Sequence, residues 1–179
     1  MKRYIRNFIA FLIIVVILAG AYQFYDPSQA EIQRVMAQGD TNKERVESIA
    51  ALVQERHKGF VVVTSARIST AMDGTRSVVY IMAVTVSASV YVDRPQTQQQ
   101  LQRQMEAQRH VSGAIVDLLR LTTIHLLEYD PTITSVALRI SLPNGNASSG
   151  MALMEQLQRI PPGAPDEAWL EAIRPLAVG

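Results

Sequence analysis

The sequence predicts an α+β protein: an N-terminal transmembrane helix followed by a small α-β-β-α-β-α sandwich, with a three-stranded sheet and helices on one face. Three observations predict it. An uncharged apolar run follows a cationic N-terminus. Two strings of alternating residues flank an Asp-Gly pair, the mark of a hairpin. A long stretch of helical periodicity then precedes a third alternating string.

The N-terminal element comes first. Residues 1–6 hold Lys2, Arg3 and Arg6 and no acid, and an uncharged run extends from Phe8 through Tyr25. At 1.5 Å per residue such a helix is about 27 Å long, close to the ~30 Å hydrocarbon core. Phe8, Phe11, Leu12, Ile13, Ile14, Val15, Val16, Ile17 and Leu18 are its membrane-spanning residues, and Tyr4, Tyr22 and Tyr25 flank it. The cations lie before the run and the first acids, Asp26 and Glu31, beyond it. The positive-inside rule then leaves residues 1–6 in the cytoplasm, spans the inner (plasma) membrane with 7–25, and exports the rest to a periplasmic or extracellular space. An uncleaved anchor is the first reading. A cleaved signal peptide is the second, because Ala19-Gly20-Ala21 is an A-x-A-like processing site.

Residues 26–40 read as a linker with a short helix opened by the capping box Ser28–Glu31. The α+β domain is expected over 41–160. A second capping box, Thr41-Asn42-Lys43-Glu44, opens a helix whose Val46, Ile49, Ala50 and Val53 form one apolar stripe, and Lys58-Gly59 ends it. Phe60, Val62, Thr64, Ala66 and Ile68 alternate with Val61, Val63, Ser65, Arg67 and Ser69 in the first strand. Met72-Asp73-Gly74-Thr75 turns it, with both central positions able to take positive φ. The second strand runs from Arg76 to Val92. Its Val78, Tyr80, Met82 and Val84 face the core, and Val79, Ile81 and Ala83 form a sticky end on the other face.

A helix is expected from Thr97 to Glu128, continuous or broken near Gly113. Its first half is polar, with only Leu101 and Met105 apolar on one side, so it projects or meets a partner. Its second half carries Val111, Ile115, Leu118, Leu119, Thr122 and Leu126 inward, and Asp130-Pro131 stops it. The third strand has Thr134, Val136, Leu138 and Ile140 inward, with Ser135 and Arg139 outward. A turn or loop at 143–146 leads to a short helix striped by Met151, Met154 and Leu157. Residues 161–179 read as a Pro-rich linker and a last short helix bearing Trp169.

Composition narrows function. The chain has 17 Lys+Arg, 16 Asp+Glu and no Cys. Without residues 1–25 the formal charge falls by three, from +1 to −2, so no basic footprint for nucleic acid remains. The lack of Cys excludes thiol catalysis and thiolate metal sites. His57, His110 and His125 show no metal-binding spacing, and the last two stand about 22 Å apart along one helix. No G-x-S-x-G, P-loop or dinucleotide fingerprint occurs, and Ser148 and Ser149 read as helix caps. The chain is therefore expected to be non-enzymatic and free of cofactors. Its expected partners are the lipid bilayer and itself or other envelope proteins. Gln98, Gln102 and Arg109 on the polar helix half, and Trp169, are the candidate partner contacts, although Trp169 also suits a place in its own core. The alternative is a module that holds a small ligand or peptide on the open sheet face or an edge strand.

The helix-strand-strand-helix-strand order over 43–142 resembles the ring-building motif of secretion-system and sporulation membrane rings. The resemblance lies in order alone. It implies assembly as a role and carries over no site residues.

Overall fold

A computed structural model describes residues 41–86 and 97–176. The expected membrane span, its topology-setting cations, the Ser28 capping box and the second strand beyond Val86 lie outside them. Among the described residues no helix is long and apolar enough to cross a membrane.

Helix α1 (Asn42–Arg56) starts at the predicted capping box: Thr41 Oγ1 accepts from the Glu44 amide at 3.3 Å, and Glu44 Oε2 accepts from the Thr41 amide at 2.9 Å. Its buried residues are Val46, Ile49, Ala50 and Val53, the predicted stripe. Strands β1 (Val61–Thr70) and β2 (Arg76–Val84) form the expected hairpin. Only Gly74 takes positive φ at its turn. Asp73 keeps ordinary backbone and instead accepts from the Thr75 hydroxyl and amide, contacts that hold its carboxyl below the usual range.

Helix α2 (Gln98–Leu121) runs unbroken through Gly113. The irregularity falls later, in a π-helical turn at Thr122–Leu126, where the Thr122 and Thr123 hydroxyls donate back to the Leu118 and Leu119 carbonyls. The Thr122 hydroxyl also meets that of Tyr80 at 2.8 Å inside the core, and burial pushes the Tyr80 phenol pKa up. Strand β3 (Ile133–Ser141) pairs parallel with β2 across this helical crossover.

Among the described residues the sheet has five strands, not three. Strand β4 (Ala147–Leu153) pairs antiparallel with β3, and β5 (Arg174–Pro175) pairs with β4, giving the order β1-β2-β3-β4-β5. The helix expected around Met151 is only the short α3 (Met154–Gln158), so Ser148 and Ser149 are strand residues, not caps. The turn before β4 repeats the first one: Gly145 has positive φ, and the Asn146 amide donates to Asn144 Oδ1. Helix α4 (Asp166–Glu171) inserts Trp169 into the core, 1 % exposed, and β5 extends the same sheet.

Two bulges set which residues face the core. The register shift between Val63 and Ser65 leaves Thr64 unpaired, so Val61, Val63, Ala66 and Ile68 share the core side, not Phe60, Val62 and Thr64 with the last two. A second shift, between Arg76 and Ser77, leaves Thr134 unpaired. Ile133 is buried where Thr134 was expected, and Ser135 is buried with its hydroxyl 2.7 Å from that of Ser77.

Candidate functional site

Two surfaces carry chemistry. The first is the sheet face turned away from the buried residues. Its cross-strand rows are Val62–Ala83–Ser141–Ala147, Ser65–Ile81–Arg139–Ser149 and Arg67–Val79–Ala137–Met151–Arg174. Val79, Ile81, Ala83, Ala137 and Met151 are half-buried, while Val62, Arg67, Arg139 and Arg174 are exposed. The face is therefore an apolar stripe with arginines at both ends and in the middle. None of the five described strands contains Asp or Glu. None of the three arginines makes an ion pair among the described residues. An unpaired guanidinium beside apolar surface is suited to a carboxylate brought by another molecule.

The second is a cavity of about 800 Å³ where the C-terminal end of α1 meets α2. His57, the residue that caps α1, and His110 of α2 approach with Nδ1 to Nδ1 at 3.3 Å. His57 Nε2 lies 3.2 Å from Asp117 Oδ2, which Arg56 Nη1 also approaches at 3.5 Å. Phe60 stacks on His110 with ring centroids 3.9 Å apart. The cavity is further lined by Met105, Glu106, Arg109, Gly113, Arg120 and Asp166. The imidazole planes are nearly perpendicular (79°) and their centroids 5.6 Å apart, about one ring radius at each end beyond the 3.3 Å contact, so the two nitrogens meet nearly head-on. That is the geometry of an N–H···N hydrogen bond; a shared metal would bend the pair about itself. Among the described residues no group of three or more His, Asp or Glu is arranged to hold a metal.

This pairing was not legible in the sequence, where His110 and His125 share one helical segment and His57 is 53 residues from His110. His125 stands apart from the pair; burial lowers its pKa against the opposing pull of Glu128. Of the candidate partner contacts, Gln98, Gln102 and Arg109 are exposed on α2, beside Leu101 at 46 % and Met105 at 62 % exposure. Trp169 is not a surface anchor, because its ring is enclosed by its own domain beneath Arg120.

Gly113 explains how the ring of His57 fits. A Cβ at that position would stand 2.9 Å from His57 Cε1, too close to coexist. Gly113→Ala gains about 1 kcal/mol of helix propensity. It displaces the ring and weakens two hydrogen bonds worth about 1 kcal/mol each. The expected result is stability within about 1 kcal/mol of the parent by urea unfolding, with the His57 ring resonances moved in an NMR spectrum.

No protein-family model matches the chain, and neither a curated protein nor a solved structure matches it.

Proposed function

We propose that the chain is a non-enzymatic, single-pass membrane protein whose exported α+β domain assembles with itself or with other envelope proteins through the open face of its sheet. The observation that carries this reading is the carboxylate-free face with Arg67, Arg139 and Arg174 around Val79, Ile81 and Met151. Such a face selects a protein surface that pairs apolar contact with acidic side chains. It lacks the aromatic platform that single-stranded nucleic acid uses, since Tyr80 points into the core. The cationic N-terminus ahead of an uncharged run supports the membrane placement.

Magnitudes set the strength of the contact. Four strand spacings of ~4.8 Å and about seven residues at ~3.3 Å give a planar footprint of roughly 440 Å². A stable interface takes about 800 Å² from each partner. One face is therefore a weak contact, and tethering copies to one membrane supplies the effective concentration that makes it count.

A groove of about 470 Å³ between α1 and the edge of β1 favours the second reading, an extended peptide added to that edge. The free edge is short, because Gln54 Oε1 already accepts from the Val63 amide and Thr64 is bulged. The assembly reading predicts that the full chain in detergent forms oligomers that weaken with salt. Arg67→Glu with Arg139→Glu should abolish them in sedimentation and cross-linking. A parent chain that stays monomeric at high concentration in low salt would refute self-assembly through this face.

A further inference from the structure

We infer that His57, His110 and Asp117 form a proton-counting latch on the seam between α1 and α2, closed while the two imidazoles share at most one added proton and opened by the second.

Which atoms can donate decides the state of the latch. With both rings neutral, His57 Nε2–H donates to Asp117 and His57 Nδ1 accepts from His110 Nδ1–H, so each short contact is a hydrogen bond. One added proton keeps both bonds. On His110 it sits at Nε2, leaving Nδ1–H as the donor. On His57 it makes that ring donate in both directions, to Asp117 and to a His110 now protonated at Nε2. A second proton removes the last lone pair between the rings. Two N–H groups and two like charges then face one another at 3.3 Å with no acceptor between them.

The neighbours do not rescue that state. Among the described residues Asp117 is the only carboxylate in contact with the pair, and Arg56 competes for the same oxygen. On α2, Glu106 lies one turn before His110, and Arg109 opposes it as a further cation. Arg120 is already turned to Asp166 on α4 and to the Ala164 carbonyl. Phe60, stacked on His110, brings no charge.

The rings have consequences beyond themselves. The His57 carbonyl accepts from the Phe60 and Val61 amides, which set the start of β1, and its amide closes α1 onto Val53. Parting the rings therefore loosens the end of α1, the entry to β1 and the wall of the cavity together. The β2–β3 core lies elsewhere and has no part in the latch.

The test is amide hydrogen exchange of the full chain in detergent micelles between pH 8 and pH 4.5, corrected for intrinsic rates, with the ring C–H signals recording when each histidine is charged. Amides of residues 57–61 and 107–114 should lose protection by about tenfold or more once both rings are charged, while the β2–β3 amides keep theirs. His110→Gln and His57→Gln, each unable to take the second charge, should remove that loss. Unchanged seam protection with both rings charged would overturn the latch. So would the same loss in both glutamine variants, or a simultaneous loss in β2 and β3, which would mark global acid unfolding.

Discussion

Trp169→Ala is expected to cost about 3–5 kcal/mol, the range for emptying a fully buried aromatic site. Helix α4 is six residues long and cannot stand on its own backbone bonds. What holds it is the indole in the core, the Arg120 guanidinium 5.4 Å above the ring, and the Arg120–Asp166 contact at 3.2 Å. The next residues depend on it in turn. β5 reaches β4 through only Arg174 and Pro175, and the Leu176 amide donates to the Ser149 carbonyl at 2.9 Å. Loss of the indole should therefore release the stretch from 161 to 176 as a unit and expose the β4 edge. Circular dichroism must follow the guanidinium unfolding, because Trp169 is the only tryptophan. Trp169→Phe makes the prediction sharper. The indole Nε1 is buried without a partner among the described residues, so phenylalanine loses volume but also removes an unsatisfied donor. That variant should cost about 1–2 kcal/mol, and equal losses for the two would place the energy in something other than ring packing.

The parts of the fold that could be read from sequence were those where one local rule acted alone. The Thr41 capping box, the Val46–Val53 stripe, the Gly74 turn and the Val78–Val84 alternation each depend on neighbours within a few residues. Strand β4 did not, because two local rules conflicted. Asn144-Gly145, read as a turn or loop, also suits a hairpin, yet Ser148-Ser149-Gly150 suits a helix start and Met151, Met154 and Leu157 recur with helical spacing. Pairing with β3 decided in favour of the strand, and its Gly150 is needed there because a Cβ would sit 2.5 Å from Ile173 Cγ2. The bulges at Thr64 and Thr134 were invisible for the same reason: a register belongs to two strands, and alternation along one cannot reveal it. The histidine pair needed the most, since it arises only after α1 packs on α2.

Asp130 shows the same limit and gives the second large effect. In sequence Asp130-Pro131 is a helix stop. In the fold its carboxylate, 4 % exposed, ties three elements together. It accepts from Asn42 Nδ2 of α1 at 2.9 Å, from Arg76 of β2 at 2.7 Å, and from the Thr132 hydroxyl and amide. Burial by itself pushes this carboxyl up. The Thr132 hydrogen bonds and the Arg76 charge outweigh that and hold it below the ordinary carboxylate range. Removing one partner of a buried pair costs about 3–5 kcal/mol, but the Arg76 side chain is one-third exposed and water softens its loss. Asp130→Ala should therefore cost about 2–3 kcal/mol near neutral pH. The sign of the pH dependence follows from the depressed pKa. The stabilisation is fully present above the unfolded carboxyl pKa of about 3.9 and disappears as pH falls through the lower folded value. The gap between parent and Asp130→Ala should thus be widest at pH 6–7 and close under acid. Arg76→Met in both backgrounds isolates the pair: if the two single losses simply add, the carboxylate acts through Asn42 and Thr132, and Arg76 is a bystander.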